Sequence, residues 1–340
     1  MDAKRNEKLK GKKEKWLQFS LFPTYSSLFL FPYSLNMSGS PENQTRSYLM
    51  KRFASIGIHP RAKLGQNFLI DLNLLRLLHD SARLDQNDVV LEVGTGTGSL
   101  TGLMSQSAAR VITVEVDQIM HQLAKEELQD RGNIRFVFGD ILKNKNRLNP
   151  EVLETIADEL KSVPNSRFKL VANLPYCVAT PLMSNLLLTD FPPFSMTVTI
   201  QKELAERITA RPSTKDYSSL SVWMQSQNRC KIIRTMPPSV FWPRPKVESA
   251  IIQLIYDQKL RDRIPNLTFF HRFSREIFFH RRKFLRSVLI AMLKGKLEKQ
   301  DVDNIMAHHH FDEKTRAESL SVVKLLRLSE TIRQLCPDMA

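Results

Sequence analysis

VVLEVGTGTGSLT, residues 89–101, runs from a valine-rich apolar stretch through three glycines into a helical pattern. Similar apolar runs alternate with amphipathic stretches up to residue 201. Apolar strands that are separated by helices pack into a mostly parallel sheet covered on both faces. The chain therefore predicts a doubly wound α/β domain with its ligand at the carboxyl ends of the strands. The predicted strands are VVLEV (89–93), RVITVEV (110–116), NIRFVFGD (133–140), FKLVANL (168–174) and MTVTIQ (196–201).

The rest of the chain divides into an edge hairpin, a helical tail and an amino-terminal extension. CKIIRT (230–235) and SAIIQLI (249–255) flank a proline-rich loop, which predicts an antiparallel pair of strands. The tail carries aromatic and aliphatic residues at helical spacing among many arginines, a pattern typical of a second, all-helical domain. We assign residues 1–50 to a disordered or mis-started extension, 51–258 to the α/β domain and 259–340 to the helical domain.

The composition favours a nucleic-acid partner in a reducing compartment. The 340 residues carry a formal net charge of +15, which favours a polyanion. The three cysteines lie far apart without a CxxC pair, so the sequence predicts neither a disulfide framework nor a zinc knuckle. The histidines at 308–310 are consecutive and would point in different directions on a helix, so we predict no metal site. We expect a monomer.

The extension bears on the location of the protein. No apolar run reaches the roughly 18 residues that a membrane helix needs, so we expect no membrane span. The lysine-rich start, MDAKRNEKLKGKKEKW, precedes an apolar stretch, an order typical of targeting segments. Pro23 and Pro32 interrupt that stretch, and Met37 offers an alternative start. We predict a cytoplasmic protein, with an organellar location as the alternative.

The glycine cluster is the first candidate ligand site. Gly94 and Gly96 permit a tight turn and a close approach of the backbone to a ligand. The spacing is GxGxG and no GK[ST] follows, which excludes a P-loop. Glu92 precedes the glycines, where it can hold the loop or meet a ligand amine through ordered water.

Acidic residues close the first three strands. Besides Glu92, Glu115 ends the second strand, where a carboxylate grips a ribose diol. Asp140 ends the third strand and can accept from the exocyclic amine of an adenine. Asp117 competes with Glu115 but is better placed as a helix cap. Since three carboxylates repel a pyrophosphate, the set favours S-adenosyl-L-methionine over a nicotinamide dinucleotide.

NLPY, residues 173–176, ends the fourth strand with groups that a buried strand does not need. An adenine amine is a poor nucleophile because its lone pair is delocalised into the ring. The side-chain oxygen of Asn173 and the carbonyl of Leu174 can accept its hydrogens and favour a pyramidal nitrogen. Pro175 fixes the backbone, and Tyr176 can stack on a flipped base. The pattern predicts methyl transfer to an adenine amine through positioning and electrostatics.

Seven motifs follow one another in an order that one family shows. They are PRAKLGQNFLID, LEVGTGTGSLT, VEVD, GDIL, NLPY, FWPRPKVESAII and FHRRKFLRSVL. In this order they resemble the small-subunit ribosomal RNA adenine dimethyltransferases of the KsgA type. The resemblance implies a Rossmann-like, S-adenosylmethionine-dependent methyltransferase domain with a small all-helical C-terminal domain. It also implies transfer of methyl groups to two adjacent adenosines near the 3′ end of small-subunit rRNA, in a partly assembled subunit, during its biogenesis.

The resemblance assigns roles to further residues. It makes Asn67 and Leu69, in QNFL, cofactor contacts that close over the methionine end. It makes Asn173 a contact of both cofactor and target. It places Phe241 opposite Tyr176 as an aromatic residue that lines the target pocket, whereas the residues alone indicate that Phe241 packs in the core.

Basic side chains beside the site and in the tail are the candidate RNA contacts. Phosphate neutralisation gives affinity that is independent of sequence and falls steeply with salt. Specificity then comes from RNA shape and a splayed base. We assign the helical domain to RNA and ribosome binding. The candidate residues are Arg61, Lys63, Arg207, Arg211, Arg281, Arg282, Lys283 and Arg286.

Three alternatives remain open. The macrolide-resistance type of methyltransferase modifies a large-subunit adenosine and shares the core motifs, although the RRKFLRSVL tail argues against it. A non-enzymatic nucleic-acid factor on the same fold, such as a mitochondrial transcription factor, has no need of an intact NLPY with three acids. A DNA adenine methyltransferase more often begins this motif with aspartate than with asparagine.

Overall fold

The computed structural model of the chain describes residues 46–55, 57, 59–61 and 65–339. Residues 1–45, which hold most of the predicted extension, and Lys63 lie outside the described residues. Residues 46–50, which we assigned to that extension, begin a helix, α1, over Arg46–Ser55, and its Leu49 and Phe53 are buried. No helix in the described ranges is long and apolar enough to cross a membrane.

Eleven strands and twelve more helices follow in the described part of the chain. The strands are β1 (Phe68–Leu69), β2 (Asp88–Val93), β3 (Arg110–Glu115), β4 (Ile134–Phe138), β5 (Leu142–Asn144), β6 (Arg147–Leu148), β7 (Arg167–Asn173), β8 (Ser195–Gln201), β9 (Asn228–Met236), β10 (Phe241–Trp242) and β11 (Ser249–Tyr256). The helices are α2 (Leu72–Ala82), α3 (Ser99–Ser107), α4 (Gln118–Glu127), α5 (Pro150–Ser162), α6 (Tyr176–Leu186), α7 (Lys202–Thr209), α8 (Ser219–Gln225), α9 (Gln258–Arg261), α10 (Leu267–Ile277), α11 (Leu285–Met292), α12 (Lys299–His308) and α13 (Val322–Leu335).

The central sheet has seven strands in the order β4–β3–β2–β7–β8–β11–β9. The first five run parallel, and β11 is antiparallel to both β8 and β9. All seven were predicted from the sequence, each within two residues of the observed bounds. The chain builds outward from β2 through β3 to β4 and then returns to add β7 on the other side of β2. This reversal opens a crevice at the carboxyl ends of β2 and β7, where such sheets bind ligands.

The proline-rich loop between β9 and β11 reaches back to the start of the α/β region. Its short strand β10 pairs antiparallel with β1, with Leu69 opposite Phe241 and Phe68 opposite Trp242. The rings of Phe68, Trp242 and Phe53 meet with centroids 5.4–6.3 Å apart. Strands of two residues carry no periodic signal, so the sequence did not predict this pairing.

Apolar side chains cover both faces of the sheet. Along β2, Val89 and Leu91 join one buried cluster and Val90 joins the other, because successive strand residues point to opposite faces. The larger cluster continues from the sheet into the helices after residue 258. Trp223 packs against Phe270 across this junction. The boundary at 258 therefore separates regions that share a core, and it stays a prediction.

Candidate active site

A cavity lies at the carboxyl ends of β2, β3, β4 and β7. It brings together most of the predicted cofactor residues and the whole NLPY turn, although Asn67 and Tyr176 lie 109 residues apart in the chain. The lining residues are Gly65, Gln66, Asn67, Phe68, Val93, Gly94, Gly96, Val114, Glu115, Val116, Gly139, Asp140, Ile141, Asn173, Leu174, Pro175, Tyr176, Cys177 and Val178.

The glycine turn packs against two other motifs. Gly94 has a φ of +85°, and a Cβ there would lie 3.3 Å from Cδ of Pro175. Gly96 has a φ of +55°, and a Cβ there would lie 3.1 Å from the ring of Phe68. Side chains other than glycine rarely adopt this backbone conformation. Glycine is therefore required both by the backbone and by the close approach of NLPY and QNFL.

Glu115 orients the glycine turn from the end of β3. Its Oε2 accepts from the Gly96 N–H at 2.9 Å, and its Oε1 accepts from the Asp117 N–H at 2.9 Å. Burial raises the pKa of the Glu115 carboxyl. Asp117 caps α4 by accepting from the N–H groups of Ile119 and Met120, as the sequence predicted. Glu115 is thus held by two backbone donors on the wall of the cavity.

Glu92 lies behind the turn and is 1% exposed. Its Oε2 accepts from the Thr101 hydroxyl at 2.5 Å and the Thr113 hydroxyl at 2.7 Å, and Thr113 also contacts the Thr95 hydroxyl at 2.6 Å. Burial raises the pKa of Glu92 to about 8. Glu92 and Leu69 line a smaller cavity beside the first. The sequence left two roles open for Glu92, which were to hold the glycine loop or to contact a ligand amine. The structure shows Glu92 holding the loop, and the ligand contact stays a prediction.

Asp140 stands at the open side of the cavity, exposed to solvent. Its Oδ1 accepts from the Leu142 N–H at 2.9 Å, while its Oδ2 has no hydrogen-bond partner among the described residues. Ile141 and Val116 line the cavity beside it, the first buried and the second exposed. A flat ring that enters here meets apolar walls and one free carboxylate oxygen.

Asn173 is held in one orientation by the QNFL segment. Its Nδ2 donates to the Asn67 carbonyl at 2.9 Å, so its Oδ1 faces away as an acceptor and has no partner in the described chain. The Leu174 N–H donates to the Thr199 carbonyl at 3.1 Å, whereas the Leu174 carbonyl has no partner among the described residues. Both residues line the cavity. Two neighbouring acceptors are thus available at the end of β7.

Tyr176 is anchored by a residue that the sequence reasoning missed. Its hydroxyl lies 2.7 Å from Oγ of Ser249, a fully buried residue at the start of β11. Burial raises the pKa of Tyr176, so the phenol stays protonated. Ser249 lies inside the FWPRPKVESAII motif. Nothing in that motif indicates the contact, because it depends on how β11 pairs with β8.

Phe241 lies apart from the cavity lining. It is 3% exposed and packs in an apolar cluster with Leu69, Leu75 and Met236. This is the packing position that the residues alone indicated. A contact of Phe241 or Leu69 with a ligand stays a prediction, and the structure places neither side chain on the main cavity.

The predicted RNA contacts fall into two groups. Arg211, Arg282 and Lys283 are exposed and form no ion pair in the described part of the chain. Arg286 holds α11 to α12 through a bidentate pair with Asp303 at 2.5 and 2.8 Å. The pairs among the predicted contacts are Arg61 with Asp117, Arg207 with Glu203, Arg281 with Glu318 and Arg286 with Asp303.

The histidine tract makes ordinary local contacts. His309 lies 2.9 Å from the Thr331 hydroxyl and stacks on Phe311. Within the described ranges, no group of three or more His, Cys, Asp or Glu side chains is arranged to hold a metal ion. The three cysteines are free thiols.

Residues 58–334 match the family described as "Ribosomal RNA adenine dimethylase". The chain belongs to this family. The resemblance drawn from the seven motifs is confirmed, and with it the prediction of a methyltransferase of this enzyme class. Two similar proteins are both named "Ribosomal RNA small subunit methyltransferase A". The one from Geobacillus sp. (strain WCH70) is 33% identical over 88% of this chain and 100% of its own length. The one from Clostridioides difficile (strain 630) is 36% identical over 79% of this chain and 89% of its own.

Solved structures confirm the fold class. A dimethyladenosine transferase from Plasmodium falciparum aligns with a TM-score of 0.65 at 23% identity, over 78% of this chain and 97% of that one. The 23S rRNA methyltransferase ErmE aligns with a TM-score of 0.54 at 22% identity, over 78% of this chain and 98% of that one. Both alignments therefore show the same overall fold.

Proposed function

We propose that this family member transfers methyl groups from S-adenosyl-L-methionine to the exocyclic amines of adenosines in small-subunit ribosomal RNA. The relatives at 33–36% identity carry a small-subunit name, which supports that substrate. The finer proposal is that the targets are two adjacent adenosines near the 3′ end, each converted to dimethyladenosine during small-subunit biogenesis.

The cavity fits this cofactor. The two acids on the cavity wall, Glu115 and Asp140, make no ion pair within the described residues, so they suit a ligand that is neutral or cationic at its methionine end. Glu115 is oriented for a ribose diol, and the free oxygen of Asp140 suits an adenine amine. Side chains at Gly94 and Gly96 would fill the cradle. When bound, S-adenosylmethionine supplies an electrophilic methyl group beside the NLPY turn.

The orientation of Asn173 is the observation that carries the proposal. The bond from its Nδ2 to Asn67 leaves Oδ1 free, next to the free carbonyl of Leu174. These two acceptors hold the hydrogens of the target amine and direct its lone pair toward the methyl donor. Tyr176, fixed by Ser249, offers its ring to the base. The proton that the amine loses passes to water, so no base with a shifted pKa is required.

The helical region, residues 259–340, is proposed to bind the RNA of the partly assembled subunit. Among the predicted RNA contacts in this region, Arg282 and Lys283 are exposed and have no ion-pair partner in the described chain. Deleting the region would strip the shared core around Trp223 and Tyr217, so charge variants test it better. For RNA binding, the logarithm of the association constant falls linearly with the logarithm of the salt concentration. An Arg282→Ala, Lys283→Ala double variant should make this slope shallower by about 1.4. An unchanged slope would remove both residues from the interface.

The decisive experiment supplies the protein with a labelled methyl donor and, separately, with isolated small and large ribosomal subunits. Nucleoside mass spectrometry then identifies and maps the product. We expect dimethyladenosine in small-subunit rRNA, at two adjacent positions near the 3′ end. Label in large-subunit rRNA alone would favour the macrolide-resistance activity. No methylation of either RNA would overturn the proposed function.

A further inference from the structure

A second cavity adjoins the first, and the function proposed above assigns no role to it. Cys177, directly after the NLPY turn, lines both cavities. The walls of the second come from α6, α8 and α10 and from the turn between β5 and β6. The Asn185 amide of α6 donates to the Lys145 carbonyl at 3.3 Å, which fastens that turn to the cavity. The cavity therefore opens at the mouth of the candidate active site.

The charged groups on this second cavity are all basic. Lys145 and Arg275 are exposed and make no ion pair in the described part of the chain. No carboxylate is among the lining residues, which also include the hydroxyls of Thr180 and Ser184. Unpaired cations and neutral hydroxyls are the groups that proteins use to bind a phosphate and its sugar.

His271 adds a neutral ring to the same cavity. Its ring centroid lies 4.4 Å from that of the buried Trp223, and its Nε2 lies 3.5 Å from Oγ of Ser184. Burial, followed by the nearby charge of Arg275, lowers the pKa of His271 to about 4. The imidazole is therefore uncharged at neutral pH. Since Nε2 already faces Ser184, Nδ1 is the ring nitrogen left to donate to or accept from a base edge, according to the tautomer.

We propose that the second cavity is a subsite for the nucleotide next to the target adenosine, with Lys145 and Arg275 on its phosphate and His271 on its base. The inference rests on the proposed function. One phosphodiester joins neighbouring nucleotides, so the neighbour of a base in the first cavity must lie at its rim, where Cys177 separates the two cavities. If the two targets are adjacent, the subsite holds the second while the first is methylated.

The test uses the full chain, small-subunit RNA and a labelled methyl donor. Arg275→Gln and Lys145→Ala remove the cations of the subsite. Arg272→Gln is the matched control on the same helix, and Lys143→Ala is the control in the same hairpin, since neither lines this cavity. Each subsite variant should raise KM for RNA about tenfold with an unchanged cofactor Kd. RNA carrying one dimethyladenosine should accumulate with these variants and with neither control.

A chemical substitution in the RNA separates a phosphate contact from damage to the fold. Replacing the phosphate beside the target with an uncharged methylphosphonate should cost the wild-type protein about tenfold in kcat/KM. The Lys145→Ala, Arg275→Gln double variant should lose nothing further on that RNA. Equal losses for both proteins, or subsite variants that match their controls, would overturn the subsite and leave the methylation intact. Wild-type protein that forms no dimethyladenosine would instead overturn the proposed function.

Discussion

At the amino ends of β2 and β7, Asp88 is fully buried and accepts from Nζ of Lys169 at 2.8 Å and Nε of Arg167 at 2.9 Å. Lys169 also donates to the carbonyls of Ala82 and Arg83, so the ammonium is fully used. At the carboxyl ends of the same sheet, the acids meet only N–H and O–H donors from within the described chain. At one end of the strands the buried acid is neutralised by internal cations, and at the other end Glu115 and Asp140 lie on the cavity wall without an internal cation.

This difference distinguishes an acid that stabilises the fold from acids that are proposed to bind the ligand. Removing one member of a buried ion pair leaves an uncompensated charge, so its effect falls on stability. Removing an acid or amide that is proposed to contact the ligand should affect binding or turnover, because no internal cation depends on it. The following predictions test that separation, from the largest expected effect to the smallest.

Asp88→Ala leaves Lys169 buried without its counter-charge. We expect a loss of about 3–5 kcal/mol in the free energy of unfolding, measured by urea denaturation. The methylation rate per folded molecule should stay unchanged. A double variant, Asp88→Leu with Lys169→Met, should recover most of that stability, since it removes both charges. A large loss of turnover in the folded single variant would contradict the assignment of this end to structure.

Asn173→Ala removes one of the two acceptors proposed for the target amine. By analogy with the loss of one transition-state hydrogen bond, we expect kcat to fall about 10²–10³-fold. The cofactor Kd should change by less than about tenfold, or 1.4 kcal/mol. Single-turnover methylation and calorimetry measure the two quantities, with the exposed Asn304→Ala as control. Equal losses in both would indicate a structural role for Asn173.

Glu115→Ala removes the carboxylate proposed for the ribose. We expect the cofactor Kd to rise about 10- to 100-fold, the usual cost of a lost hydrogen bond to a charged group. Calorimetric titration with S-adenosylhomocysteine measures it. Glu126→Ala, on the exposed face of the following helix, is the matched control. An unchanged Kd would show that Glu115 does not contact the cofactor and only supports the glycine turn.

Glu92 predicts a pH dependence with a definite sign. Its pKa is raised from 4.5 to about 8, so the folded state keeps a proton that the unfolded state has lost between these values. Stability should therefore fall as pH rises through this window, by up to about 1.4 kcal/mol per pH unit. Urea denaturation of Glu92→Gln at pH 5, 6, 7 and 8 should show a flatter profile than the wild type. Parallel profiles would contradict a protonated Glu92.

Much of the sheet and part of the site were predictable from local pattern. The seven long strands, the glycine turn and the cap at Asp117 were each identified from neighbouring residues. The target-pocket role of Phe241 came from resemblance alone, and its buried position follows from the pairing of β10 with β1. The ion pairs of Arg207 and Arg286 were also missed, since a run of arginines does not reveal which acids face it.

The sequence by itself determined the alternation of strands and helices, the glycine turn and the acids and amide at the strand ends, because period and turn chemistry are local. Only the tertiary structure decided which groups meet. It set the Asn67 carbonyl against Asn173 across 106 residues and Ser249 against Tyr176 across 73. It also placed Lys145 and Arg275 on one cavity beside the active site. Such contacts depend on strand register and helix packing, which no short stretch of sequence specifies.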